Sequence, residues 1–223
     1  MPSQYDNKGG YAGYNKNNKE RAALDYYATP TEEVTNILNI LNLDFCEEDI
    51  ILEPCCGGGH MIRGIEEYCK NNNVYPSIVG TDIKDRNPSV TLTNTSCYSG
   101  EEYDFLPPDY SIKEADYIIM NPPFSTLEFF VSKGIKMARK GLLVFGRLQF
   151  LESKTRFENI FKDTPPSKVY VYVDRIGCIK DGDPNIKVPK IQAYMWAYWD
   201  YVNENSKATS LNWITSVNYK GVK

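Results

Sequence analysis

Short apolar runs alternate along this chain with stretches of helical period, separated by turn-forming residues. Val34, Ile37, Leu38 and Leu41 recur at three- and four-residue steps, the spacing of one helix face. Thr31 stands where a cap belongs, and Glu32 and Glu33 suit the first turn of that helix. Ile50-Ile51-Leu52 reads as a short buried strand, and Met61 to Asn71 as a helix. Ser77 to Thr81 predicts a second strand closed by Asp82, and Ala115 to Met120 an isoleucine-rich one ended by Asn121-Pro122-Pro123-Phe124. Thr126 to Arg139 predicts an amphipathic helix, Gly141 to Leu148 a strand and Glu152 to Phe161 a helix. Lys168 to Val173 and Ile191 to Trp199 read as further strands. Strands alternating with helices predict an α/β sandwich built on a mostly parallel sheet.

Composition bounds the class. The 223 residues suit one domain with a substantial core, and 42% hydrophobic with 24% charged excludes disorder over most of the chain. No apolar run of about eighteen residues occurs, so no membrane span or membrane partner is expected. Met1 to Asn18 is polar and lacks the apolar core of a secretion signal. Cys46, Cys55, Cys56, Cys69, Cys97 and Cys178 form no CxxC pair, and His60 is the single histidine, so no metal site is expected. Reduced thiols and a cytoplasmic address follow as the default. Residues 1–24, rich in Asn, Gly, Tyr and Lys, read as a mobile arm, 25–215 as one domain and 216–223 as a tail.

The net charge of −4 hides an asymmetry. Pro30 to Met120 holds 5 basic against 17 acidic residues, whereas Thr126 to Lys190 holds 13 against 7. A swing of this size predicts a basic working face and a polyanionic partner. Arg147, Lys154, Arg156, Lys180 and Lys187 are its candidate phosphate contacts. Tyr11 and Tyr14 on the arm could touch nucleic acid as well.

Three stretches carry the candidate chemistry. Glu53-Pro54-Cys55-Cys56-Gly57-Gly58-Gly59-His60 joins a strand to a helix, where glycines let backbone approach a ligand at a helix N-terminus. A glycine cluster alone fits a tight turn equally well. The stretch is neither a Walker A loop nor a GxGxxG turn. Asp82 ends the next strand, where an acid can take both hydroxyls of a ribose. Asn121-Pro122-Pro123-Phe124 is the most specific piece. Its prolines stiffen the backbone, Asn121 offers an amide oxygen, Pro122 a carbonyl and Phe124 a flat face. Two acceptors aimed at one amino group beside a stacking surface fit an exocyclic amine.

These residues resemble, in order, those of class I, S-adenosylmethionine-dependent N6-adenine DNA methyltransferases of the small phage-associated kind. The resemblance runs from Asp25 to Ile214. It rests on Asp25-Tyr26-Tyr27-Ala28-Thr29-Pro30, the Glu53 loop, Asp82, Asp104-Phe105-Leu106, the Asn121 motif, Arg147-Leu148-Gln149-Phe150-Leu151-Glu152 and the aromatic run ending in Trp196 and Trp199. It implies a Rossmann-like fold with a mostly parallel seven-stranded sheet and helices on both faces. It further implies S-adenosyl-L-methionine as cofactor and a flipped adenine of DNA as substrate. Tyr27, Thr29, Glu53, Pro54, Cys55, Gly57 and Gly59 would meet the amino-acid end of the cofactor, and Asp82 its ribose. Ile83, Asp104 and Phe105 would hold its adenine, and Asn121 to Phe124 the target base. No recognition domain of the usual size fits after Trp199, so a protein partner could supply sequence recognition. Methylation of RNA adenine or protein glutamine, and a non-catalytic subunit of the same fold, are the competing readings.

Overall fold

A computed structural model describes residues 26–100, 103–107, 110–186, 191–203 and 208–221. The expected arm with Tyr11 and Tyr14, Asp25 and Lys187 lie outside the described residues.

Among the described residues ten strands and four helices follow in order. They are β1 (Tyr27–Ala28), α1 (Thr31–Leu41), β2 (Ile50–Glu53), α2 (His60–Asn71), β3 (Ser77–Asp82), β4 (Thr95–Ser99) and β5 (Ala115–Met120). Then come α3 (Leu127–Met137), β6 (Ala138–Arg147), the short α4 (Lys154–Arg156), β7 (Lys168–Tyr172), β8 (Ile179–Lys180), β9 (Tyr194–Asp200) and β10 (Ser210–Ile214). A 3-10 turn at Leu148–Leu151 precedes α4, and a π-turn at Phe157–Phe161 extends it. Eight strands make one sheet in the order β10-β7-β9-β6-β5-β2-β3-β4. Within it β9 runs antiparallel to both its neighbours, and the other pairings are parallel.

The strand sequences explain the layering. All six residues of β5 are buried, as expected of a parallel strand covered on both faces. Side chains alternate across a strand, so Tyr117 and Ile119 join the cluster under α1 and α2, with Val34, Ile37, Leu38, Ile62 and Ile65. Ile118 and Met120 point the other way and join Leu127, Phe130 and Val131 of α3. The fold is thus the Rossmann-like α/β sandwich.

Three details differ from the sequence expectation. The sheet has eight strands where seven were expected, because Ser210–Ile214 pairs with β7 along its whole length and makes a new edge. Half-polar Ser-Leu-Asn-Trp-Ile gives only a weak strand signal, with Leu211 and Trp213 exposed. The polar edge strand β4 was hidden for the same reason. Finally, Thr31 does not cap α1; its hydroxyl donates to the His60 carbonyl at 3.2 Å and ties α1 to the start of α2.

Part of the charge asymmetry closes on itself. Parallel pairing of β2, β5 and β6 brings acidic and basic stretches together at the N-terminal ends of the strands. There Lys140 pairs with Asp49 at 2.5 Å and Arg139 with Asp116 at 2.9 Å. Lys133 instead turns its ammonium to the Phe105 and Pro107 carbonyls. These cations serve the fold.

Candidate active site

The C-terminal ends of β2, β3 and β5 open on a single cleft, where open α/β sheets bind ligands. It encloses about 630 Å³ of empty space counted to its open mouth. Tyr27, Pro54, Cys55, Asp82, Ile83, Asp104, Phe105 and Asn121 to Phe124 line it, joined by Tyr26, Arg86 and Phe130. A smaller hollow beside it is bordered by Thr29 and Glu53, with Tyr27, Cys55 and Asn121 shared between the two. Residues up to 104 positions apart, Tyr26 and Phe130, therefore meet at one sheet edge. Gly57 and Gly59 do not border either hollow.

Glu53 ends β2 and is 2% exposed. Its Oε2 is buried and without a hydrogen-bond partner. Burial, reinforced by the nearby Asp82 carboxylate, holds the Glu53 carboxyl well above the usual range. A buried carboxylate with an open oxygen calls for a cation.

Both oxygens of Asp82 meet the protein. Its Oδ2 accepts from the Gly57 amide at 2.9 Å, and its Oδ1 accepts from the Lys84 amide and the Arg86 guanidinium, each at 2.9 Å. Asp82 thus clamps the glycine loop to the end of β3. The Cys56 amide, donating to the Thr81 carbonyl at 3.0 Å, adds a second clamp.

Tyr26 roofs the glycine loop. Its hydroxyl accepts from the Gly58 amide at 2.8 Å and lies 3.3 Å from His60 Nδ1, while Arg86 stacks on its ring at 4.8 Å. Gly57 has φ of +51°, and a Cβ built there would stand 2.2 Å from the Tyr26 ring. Both the backbone conformation and the roof therefore demand glycine. Burial and the neighbouring Arg63 lower the His60 pKa to about 4, so the imidazole is neutral at neutral pH. Burial pushes the Cys55 thiol up, which leaves it no nucleophilic thiolate.

The far wall is aromatic and aliphatic. Phe105, 1% exposed, stacks on Phe130 at 5.1 Å, and Asp104 beside it accepts from the Leu106 amide at 3.3 Å. At the other end Asn121 Nδ2 lies 2.7 Å from the Tyr27 carbonyl and 3.0 Å from Thr29 Oγ1. The Pro123 carbonyl accepts from the Thr126 amide at 2.9 Å. Phe124 is half-buried, with the Arg147 guanidinium 4.4 Å above its ring and Tyr194 at 6.0 Å.

The remaining cations scatter. Arg156 donates to the Gln149 and Glu152 carbonyls and packs on Phe150 at 5.3 Å. Lys154 and Lys180 are exposed, the latter on β8 opposite Tyr27. Among the described residues no group of His, Cys, Asp and Glu could hold a metal ion, and no helix is long and apolar enough to cross a membrane.

Sequence reasoning missed Tyr26, Arg86 and Phe130 as site residues. Arg86 had a signal, since a residue four positions after Asp82 can reach back to it. Phe130 had none beyond its place on the apolar face of α3.

Solved structures share this fold. A Listeria monocytogenes protein assigned to the class I S-adenosylmethionine-dependent methyltransferases superposes with a TM-score of 0.61 at 11% identity, covering 93% of this chain and 69% of that one. The methyltransferase subunit of a type I restriction-modification system from Streptococcus thermophilus gives 0.59 at 12%, covering 86% of this chain and 48% of its own. A type I modification subunit from Vibrio vulnificus gives 0.57 at 13%, covering 87% and 48%. This chain spans about half the length of those two subunits. At such identities the likeness is one of fold. No protein-family model and no curated protein matches the sequence.

Proposed function

We propose that this protein transfers a methyl group from S-adenosylmethionine to the exocyclic N6 of adenine in DNA. The observation that carries the reading is the buried Glu53 carboxyl, its Oε2 without a partner, in a small hollow that shares Asn121 with the cleft lined by the rest of the Asn121 motif. The residues present fit the cofactor. Glu53 suits a cationic amino-acid end, the Asp82 region a ribose, and Asp104 with Phe105 a purine that offers an amino donor and a flat face. When bound, S-adenosylmethionine supplies an electrophilic methyl group on a cationic sulfur.

The chain's own residues then act on the target amine. The amine's lone pair is delocalised into the ring and is a weak nucleophile. Asn121 Oδ1 and the Pro122 carbonyl would accept its two hydrogens and localise that pair as the bond forms. Neither can take the proton, which would pass from the methylated nitrogen to water after transfer, so the site works by positioning and electrostatics. His60, neutral and hydrogen-bonded to Tyr26, has no acid–base part. The target base must leave its stack to reach this pocket, where Phe124 receives it.

DNA is favoured as substrate by the restriction-modification neighbours of the same fold and by the exposed Lys180, which β8 sets beside the cleft residue Tyr27. A partner protein that supplies sequence choice is part of this reading. Methyl-labelled cofactor offered with duplex DNA, RNA or glutamine peptides tests the reading: label enters DNA, and label confined to peptide or RNA would redirect it.

Two further outcomes follow. Phe124→Ala should raise the KM for DNA by about 10–100-fold with little change in turnover, since stacking contributes roughly 1–3 kcal/mol per base; steady-state kinetics with an adenine-containing oligonucleotide checks this. Lys154→Gln with Lys180→Gln should flatten the salt dependence of DNA binding, because every phosphate that is no longer neutralised takes roughly 0.9 off the logarithmic slope. An unchanged slope in fluorescence titrations would place DNA on another face.

A further inference from the structure

Asn121 is held from behind by a segment that sequence reasoning gave to the cofactor. Its side-chain nitrogen faces two oxygens, the Tyr27 carbonyl at 2.7 Å and the Thr29 hydroxyl at 3.0 Å. A carbonyl can only accept, so the atom facing Tyr27 is the amide NH2, and the two ends of the carboxamide are thereby distinguished. Both amide hydrogens are then spent on the protein. The Oδ1 atom is left as the acceptor on a residue that lines the cleft.

The tether is itself rigid. Tyr27 and Ala28 pair antiparallel with Lys180 and Ile179, and the Asp181 amide donates to the Tyr26 carbonyl at 3.0 Å. Thr29 is 2% exposed. The terminal torsion of an asparagine is otherwise broad and nearly two-fold. A carboxamide turned by half a rotation would present NH2 to an incoming amine, donor against donor.

We propose that Thr29, together with the Tyr27 carbonyl, is a positioning residue that orients the Asn121 carboxamide with its oxygen toward the target amine. The consequence for turnover rests on the methyl-transfer reading; the orientation itself does not.

The test uses the full chain, uniformly ¹⁵N-labelled, with Thr29→Val, Thr29→Ser, Asn121→Ala and the Thr29→Val/Asn121→Ala double variant. The Asn121 side-chain NH2 signal is the one missing from Asn121→Ala. In the wild type its hydrogens should be protected from exchange. Thr29→Val, nearly isosteric, should speed that exchange about tenfold, and Thr29→Ser should restore protection. An Asn121 amide that exchanges like a free one in the wild type, or stays protected in Thr29→Val, overturns the proposal whether or not the protein methylates anything.

Single turnover at saturating cofactor gives the second arm. Thr29→Val should slow methylation about tenfold, the loss of one oriented hydrogen bond, and Thr29→Ser should stay within about twofold of the wild type. In the Asn121→Ala background Thr29→Val should add nothing, because its effect runs through Asn121. A full, additive loss there contradicts the proposal. If Asn121→Ala itself methylates normally, the methyl-transfer reading fails and the exchange data alone judge the orientation.

Discussion

Asn121→Ala should lower methyl transfer by about 10²–10³ while leaving the fold and cofactor affinity intact. That is the penalty typical of removing one preorganised polar group that meets charge developing in a transition state. Asn121 qualifies because the protein consumes its NH2 at Tyr27 and Thr29 and leaves the oxygen to the cleft. The oxygen's value is greatest as positive charge builds on the target nitrogen, so the loss should fall on kcat and not on KM. Asn121→Asp retains an acceptor, but its carboxylate would face the Tyr27 carbonyl without hydrogens to offer. It should therefore recover little of the lost rate. Single-turnover methylation of an adenine-containing duplex, run beside a cofactor titration, separates the two quantities. Equal loss of cofactor binding in Asn121→Ala would point to collapse of the shared hollow.

Glu53→Gln should move stability and function in opposite directions. The Glu53 carboxyl is buried, its Oε2 has no partner, and its pKa is held up by burial and by Asp82. An acid whose pKa is higher folded than unfolded favours folding while protonated, and that contribution fades as pH rises above the ordinary carboxylate range. At neutral pH the side chain therefore costs the cofactor-free protein stability. The neutral amide removes this cost, and an apparent gain of about 1–2 kcal/mol, or roughly 2–8 °C in Tm, is expected. The gain should shrink toward pH 4. Cofactor affinity should fall at least tenfold in the same variant, because the cationic end loses its counter-charge. A strained carboxylate kept for a ligand is the usual trade of stability for function. If Glu53→Gln lowers Tm at neutral pH, Glu53 is a structural acid and this account of it fails.

How much of this was legible in the sequence depended on where each signal lay. The buried strands β2, β3, β5 and β6 announced themselves as apolar runs, and their order with α1, α2 and α3 gave the sandwich. The partly polar strands β4 and β10 escaped because half of each faces water or a loop, where hydrophobic pattern carries no information. Among site residues, those at strand ends were found: Glu53, Asp82 and Asn121 each follow an apolar run. What escaped was pairwise. Nothing in the sequence says that Tyr26 roofs Gly57 or that Arg147 lies on Phe124. The basic stretch was only partly legible for a related reason. Linear charge counts cannot see that parallel pairing sets Lys140 against Asp49 and Arg139 against Asp116.

Methylation of the adenine amino group in DNA is read out by nucleoside mass spectrometry. Duplex DNA is incubated with the protein and cofactor carrying a deuterated methyl group, then digested to nucleosides, with RNA treated in parallel. Labelled N6-methyldeoxyadenosine is expected from DNA, at a rate about 10²–10³ lower with Asn121→Ala. Label on cytosine, label only in RNA, or no label in any nucleoside while the protein binds the cofactor would contradict it.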